Sequence, residues 1–101
     1  MRTDRAATQE PPRRLRCEPR LRWVVERRGL LLLAEGREAV CSIPYPAAVI
    51  WDLMSRGYTY DKIVAMIGSI AAIDGDTSRR YVASVLQNWL DAGFLLEDDH
   101  G

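Results

Sequence analysis

The spacing of the apolar residues changes at Pro44 and Pro46, and this change constrains the fold more than any other feature of the chain. Before the two prolines, short segments rich in β-forming residues partly alternate apolar with polar side chains, which is typical of strands. After them, apolar residues recur every three or four positions, which is typical of amphipathic helices. Proline supplies no N–H to a strand ladder but suits the first turn of a helix. The sequence therefore predicts strands followed by helices, an α+β arrangement rather than a parallel βαβ sheet.

Three strands are predicted ahead of the prolines, over residues 21–27, 30–35 and 38–43. Tight turns containing Gly29 and Gly36 separate them, because glycine accepts positive φ without a steric cost. Connections this short favour an antiparallel meander. The second strand begins with apolar residues on both of its faces.

Three helices are predicted after the prolines. The first begins at Pro46 and ends at Gly57, the second is capped by Thr59, and the third spans residues 77–92. The last two, joined by a short connection, are typical of a helix-turn-helix, with the sheet as its wing. We expect a winged-helix-like fold, with an N-terminal three-stranded antiparallel sheet followed by a three-helix bundle. The apolar stripes of the helices are Ala47, Ile50, Trp51 and Met54; Ile63, Val64 and Ile67; and Val82, Val85, Leu86, Trp89 and Leu90.

The charges are divided between a basic front and an acidic body. Residues 1–28 hold nine arginines against four carboxylates, and residues 29–101 hold five basic against ten acidic side chains, so the formal net charge is zero. Residues 1–20 contain three prolines and few apolar side chains, which bury too little surface to offset the entropy cost of ordering. We expect a flexible arm over 1–20, one folded domain over 21–96 and an acidic tail over 97–101. The arm is either a solubilising tail or a segment that attracts an acidic partner by its positive charge.

The side chains that carry most enzyme chemistry are scarce. The single histidine is His100, and Cys17 and Cys41 lack the spacing of metal ligands. Asp74 and Asp76 flank a glycine, and we expect them to cap the third helix rather than to bind calcium. No apolar run is long enough for a membrane helix or a secretory signal. The sequence therefore predicts a cytoplasmic binding protein that is not an enzyme, with no metal, no cofactor and no membrane partner.

The segment from Ser42 to Thr59 resembles the corresponding segment of the PqqD family, whose members are also described as RiPP recognition elements. That family has a strand, a short break, a helix with an Ala-Ala-x-Ile-Trp/Leu-x-Leu-Leu pattern, a glycine, and a second helix capped by Thr or Ser. The resemblance covers residues 21–96 and leaves the arm unexplained. The residues that resemble the family's closing helix and its glycine-hydrophobic-leucine end are Tyr81, Val82, Val85, Leu86, Trp89, Leu90, Gly93, Phe94 and Leu95.

The resemblance implies a winged-helix-like domain that binds the leader segment of a ribosomally synthesised precursor peptide. The leader would pair as an added strand with the edge of the third predicted strand and pack against the third helix. The protein would then present the precursor to a modifying enzyme, such as a radical SAM enzyme, a leader protease or a cyclase. An exposed strand edge also favours strand addition, since it offers unpaired N–H and C=O groups. The implied peptide-binding residues are Ala39, Val40, Cys41, Ser42 and Ile43 on the strand, with Arg79, Val82 and Val85 on the helix.

Two other functions stay open. A winged helix can also bind DNA, but the third helix offers only Arg79 and Arg80 as basic residues, which is few for phosphate binding unless the arm contributes. A scaffold subunit that stabilises a larger enzyme without binding peptide is the other alternative. Oligomeric state is open too, because a peptide-binding edge can also pair with itself. Under strand addition, Val40→Pro or Ile43→Pro should weaken partner binding, because proline deletes or distorts edge hydrogen bonds.

Overall fold

The computed structural model describes residues 14–34 and 39–98. Within these ranges, strands form before and after a block of three helices. The elements in chain order are β1 (Arg14–Cys17), β2 (Arg22–Glu26), β3 (Gly29–Leu33), β4 (Ala39–Pro44), α1 (Ala47–Ser55), α2 (Tyr60–Ala71), α3 (Gly75–Ala92) and β5 (Leu95–Asp98).

Strands β2, β3 and β4 form an antiparallel sheet in that order, with β3 in the centre. Leu30 and Leu32 of β3 are buried on the face that the helices cover, as the apolar run in the sequence favours. The predicted α+β class, with a three-stranded antiparallel sheet followed by three helices, is confirmed.

The turn between β2 and β3 differs from the prediction. Arg27 and Arg28 form it, and Gly29 is already the first residue of β3. A Cβ added to Gly29 would collide with the carbonyl oxygen of Ile43 and lie 2.9 Å from the Cα of Pro44. Glycine is therefore required there because β4 approaches closely, rather than because of a turn. The turn predicted at Gly36 lies outside the described residues.

A second, two-stranded sheet extends the domain beyond the predicted boundaries. β1 pairs antiparallel with β5, from Arg14 opposite Asp98 to Cys17 opposite Leu95. Leu95 is buried, and Leu15 and Cys17 pack against the core. The folded part therefore begins before residue 21 and continues beyond residue 96. The remaining parts of the predicted arm and tail, 1–13 and 99–101, lie outside the described residues.

The helices begin and end largely where the caps predict. The Thr59 hydroxyl accepts a hydrogen bond from the Lys62 N–H at the start of α2. The Asp74 carboxylate accepts one from the Thr77 N–H, at 2.7 Å, so α3 begins at Gly75, two residues earlier than predicted. That bond also holds the pKa of Asp74 below its usual value, because it favours the charged carboxylate.

Helices α2 and α3 pack closely through small residues. The buried Ser78 hydroxyl donates a hydrogen bond of 2.7 Å to the Val64 carbonyl. A Cβ added to Gly68 would lie 3.3 Å from the Ile73 carbonyl oxygen and 3.5 Å from the Ser78 Cβ. These contacts fix the geometry between α2 and α3. No helix in the described part of the chain is both long and apolar enough to cross a membrane.

Trp51 of α1 lies at the centre of the core and is fully buried. Its ring makes edge-to-face contacts with Trp23 of β2 and Trp89 of α3, at centroid distances of 5.5 and 5.3 Å. Such pairs contribute packing energy beyond the area they bury. The three tryptophans therefore tie the sheet to the helices, and Trp51 and Trp89 are core residues as their positions on the apolar stripes predict.

Candidate functional site

Strand β4 is one edge of the three-stranded sheet. β3 pairs with it on one side, and no other strand in the described ranges pairs with its second side. Its sequence, Ala-Val-Cys-Ser-Ile-Pro, contains no charged residue. Natural edge strands are usually protected by charges, prolines or bulges. β4 has a proline, Pro44, and a register shift opposite Leu32 and Leu33, but it carries no charge. The lack of charge makes it the candidate for a strand-addition site.

The phase of the hydrogen-bond ladder determines which backbone groups of β4 are available. The Tyr45 N–H donates to the Arg28 carbonyl, at 3.4 Å, just beyond the pair Pro44–Gly29. In an antiparallel ladder, successive residues direct their N–H and C=O alternately toward the partner and away from it. Ile43 and Cys41 therefore bond toward β3, as Tyr45 does. Ser42 directs its backbone groups to the open side.

Two features limit the length of this open edge. Leu32 lies opposite Cys41, but Leu33 lies opposite Ala39, so Val40 is the extra residue of a β-bulge. A bulge disturbs the regular ladder and twists the strand. At the other end, Pro44 offers a carbonyl but no N–H. The regular edge is thus short and centred on Ser42.

The side chains of β4 divide between two faces. Ile43 is 3% exposed and lies in the core beside its cross-strand partner Leu30. Cys41 is half-buried on that same helix-facing side, whereas Ser42 lies on the opposite face and is exposed. Val40 is 46% exposed. Ala39 is exposed as well.

This division places Ile43 in the core rather than on the open edge. Its side chain belongs to the core and its N–H belongs to the β3–β4 ladder. An Ile43→Pro change would therefore damage the sheet itself, and it is not a selective probe of the edge. The same ladder phase makes Ser42 the selective position.

The predicted helical residues occupy different environments from one another. Val82 is 0% exposed and supports the core, so it presents no side chain to a partner. Val85 is half-buried against the same core. The Arg79 guanidinium lies 5.5 Å from the centre of the Tyr60 ring and 3.4 Å from an Asp61 carboxylate oxygen, so α2 already engages it. Val82 is buried because its position on the apolar stripe of α3 faces inward.

The predicted strand and helix residues lie on elements whose backbones do not approach closely, although Ile43 and Val82 belong to the same core cluster. Between these two fully described elements, no Cα of α3 lies within 8 Å of a Cα of β4. α1 packs directly against β4 instead. The edge is therefore supported from behind by α1.

A second surface feature lies at the other side of the sheet, where β1 leads into β2. It is a shallow depression of about 490 Å³. Burial raises the pKa of the Cys17 thiol there to about 11. The hydrogen bond from the Arg20 side chain lowers the pKa of Glu18. Sequence reasoning missed this feature because it assigned residues 1–20 to an arm. The lining residues are Cys17, Glu18, Pro19, Leu21, Arg22 and Trp23.

Comparisons of the chain with protein-family models, with curated proteins and with solved structures found no match. The described residues therefore define the class on their own: a small α+β domain with a three-stranded antiparallel sheet, a two-stranded sheet and three helices, in which the edge strand β4 is uncharged. No group of three or more histidine, cysteine, aspartate or glutamate side chains able to hold a metal occurs in residues 14–34 and 39–98.

Proposed function

We propose that this chain is a non-catalytic adaptor that binds the leader segment of a ribosomally synthesised precursor peptide and presents it to a modifying enzyme. The leader pairs as an added strand with β4, in a winged-helix-like domain of the PqqD type. The observation that carries the proposal is an edge strand that has no charged residue and pairs with one strand among those that the structure describes. In strand addition, backbone hydrogen bonds supply affinity and side-chain contacts supply specificity.

The environment of β4 supports binding of an extended peptide. α1 packs behind the strand, and Ile43 anchors it in the core, so the edge is held in place before a partner arrives. An edge that is already ordered loses little conformational entropy on binding. The half-buried Cys41 and Val85 border the same core, and they offer apolar contacts to side chains on the helix side.

In this role the chain binds the peptide and performs no covalent step. The covalent chemistry belongs to the partner, which we expect to be a radical SAM enzyme, a leader protease or a cyclase. A neutral β4 favours recognition by backbone and apolar contacts rather than by charge. Binding should accordingly depend weakly on salt, since only charged contacts are screened.

A titration of the ¹⁵N-labelled full chain with the leader peptide encoded beside its gene tests the proposal. We expect shifts at Val40, Ser42 and Val85, with micromolar or tighter affinity, about −8 kcal/mol. A scrambled peptide of equal composition is the control. Duplex DNA is titrated in parallel. Strong, salt-dependent shifts with DNA and none with the leader would contradict the proposal in favour of a DNA-binding winged helix. No shifts with either ligand would contradict it in favour of a scaffold subunit.

A further inference from the structure

The outer face of the three-stranded sheet, on the side away from the helices, is apolar at its centre. Leu30 and Leu32 of β3 are buried beneath the helices, so Leu31 and Leu33 between and beyond them point to the opposite face. Val24 of β2 lies opposite Leu31 in the ladder and shares that face. Val24 is 48% exposed, and the two outer leucines are only partly buried.

The described part of the chain supplies no cover for this outer face. Among the elements outside the sheet, only α1 has a backbone that approaches β3, and α1 lies on the core side. Contiguous apolar surface of this kind is typical of a surface that contacts another protein.

Two opposite charges flank the apolar centre on β2. Arg22 lies two residues before Val24 and Glu26 lies two residues after it, so all three share the outer face. Both charged side chains are exposed, and neither forms an ion pair with another side chain in residues 14–34 and 39–98. Each lies about 7 Å from Val24 along the strand. The pattern of charge is therefore complementary to its own image after a half-turn about the centre.

We propose that two copies of this chain associate through their outer sheet faces, around a twofold axis that runs along the row Val24, Leu31 and Ser42. These three residues lie side by side across β2, β3 and β4. A half-turn about this row reverses the direction of the strands, so it places Arg22 of one copy over Glu26 of the other, twice in each dimer. The same patch serves on both copies, as in other twofold interfaces.

The charges select this axis over the other simple arrangement. Packed sheets lie about 10 Å apart, a gap that an arginine and a glutamate side chain span together. An axis along β3 would instead place β2 over β4, which has no charged residue. Arg22 and Glu26 would then face no opposite charge. Electrostatic complementarity of this kind fixes the orientation of partners more than it adds affinity.

The size of the face determines the strength of the association. Three strands of about five residues cover about 14 Å by 17 Å, or about 240 Å². A stable interface buries about 800 Å² on each partner. We therefore expect a weak dimer, with a dissociation constant of about 0.1 mM or higher. The β4 edge lies at the side of the sheet and stays open in this dimer, so the association does not depend on the proposed leader binding.

Charge reversals test this arrangement by analytical ultracentrifugation of the full chain, from about 0.02 to about 2 mM. We expect Arg22→Glu and Glu26→Arg each to weaken association about tenfold or more, because like charges then face each other twice in the dimer. An equal mixture of the two variants should associate at least as strongly as the parent chain, since every facing pair is then opposite in sign. Arg80→Glu, an exposed charge reversal on α3, is the matched control and should leave association unchanged.

Loss of association in both single variants, with recovery in their mixture, supports the proposal and also shows that both variants are folded. A parent chain that stays monomeric at every concentration would overturn it. Association that survives both single reversals would overturn it as well, because the copies would then meet elsewhere, for example by pairing of their β4 edges. A mixture that associates no more strongly than the single variants would show that Arg22 and Glu26 do not face each other.

Discussion

The two edges of the three-stranded sheet are built differently. β2, at one edge, carries charged residues at both ends, Arg22 and Glu26, and continues into the Arg27-Arg28 turn. β4, at the other edge, carries none. Both strands pair only with β3 among the strands that the structure describes, and both therefore have an open side.

On β2 too, alternate residues direct their backbone groups away from β3. Glu26 and Gly29 flank a two-residue turn and bond to each other, so Val25 and Trp23 direct their backbone groups outward. The two edges differ in their charges, and β4 also has a bulge at Val40 and a proline at Pro44, which β2 lacks. Charged edges resist pairing with other strands. Under the proposed function, the lack of charge on β4 is the feature that favours pairing there rather than at β2.

The largest expected effect is the difference in unfolding free energy between proline variants at Ile43, which bonds toward β3, and at Ser42, which faces the open side. Ile43→Pro removes an N–H from the β3–β4 ladder and a core side chain, and should cost about 3 kcal/mol or more of unfolding free energy. Ser42→Pro removes only an outward N–H and should leave a folded protein, because edge positions tolerate proline. Urea denaturation measures both variants. Equal losses for the two variants would show that the assigned ladder phase is wrong.

A charge placed on each edge strand in turn tests the contrast directly. Val40 and Val24 are matched in exposure, at 46% and 48%, and lie on β4 and β2. Val40→Lys should weaken leader binding by about 1 kcal/mol, or about fivefold in Kd, because it makes β4 resemble a protected edge. Val24→Lys should leave the affinity unchanged. Calorimetric titration of both variants gives the comparison, and a loss that is equal for the two would contradict it.

A substitution remote from both edges serves as a control that separates stability from leader affinity. Thr59→Ala removes the N-terminal cap of α2 and should lower the unfolding free energy by about 1 kcal/mol. Leader affinity should stay the same, because binding depends on β4 and not on overall stability in conditions where the protein is folded. Thermal unfolding and a binding titration are run on the same preparation. A parallel loss of affinity would indicate that stability alone explains the effects at β4.

The last expected effect is on the β2 side and appears only at high pH. Burial raises the pKa of Cys17 from 9.0 to about 11, so the folded protein holds this proton to higher pH than the unfolded chain. The resulting contribution to stability is complete below pH 9 and declines as the pH rises toward 11. The urea midpoint should therefore fall over this range, and less steeply in Cys17→Ala. The same slope in both proteins would contradict a buried thiol at this position.

The sequence was sufficient for the sheet and the helices because their signals are local. Alternation marks β2 to β4, and Thr59 and Asp74 mark helix starts through bonds to residues three positions away. The β1–β5 pair was missed because its strands lie at opposite ends of the chain. Arginines at positions 14 and 16 also hide the apolar Leu15 and Cys17 in a segment that resembles a solvated arm.

The candidate edge was predicted in outline and not in detail. An uncharged segment before Pro44 is visible in the sequence. Which residues face outward depends on the Tyr45–Arg28 bond and on the bulge at Val40, and both are set by pairing with β3. Likewise, the apolar stripe of α3 does not reveal that Val82 is fully buried while Val85 is only partly so. These distinctions require tertiary packing.

The most direct test of the central claim compares one proline on each edge. Ser42→Pro and Val25→Pro each remove one outward N–H from an open edge, on β4 and β2 respectively, and Ser42→Ala keeps the N–H. Leader affinity is measured by calorimetric titration for all three folded variants. We predict a loss of about tenfold or more for Ser42→Pro alone. Unchanged affinity for a folded Ser42→Pro, or an equal loss for Val25→Pro, would contradict strand addition at β4.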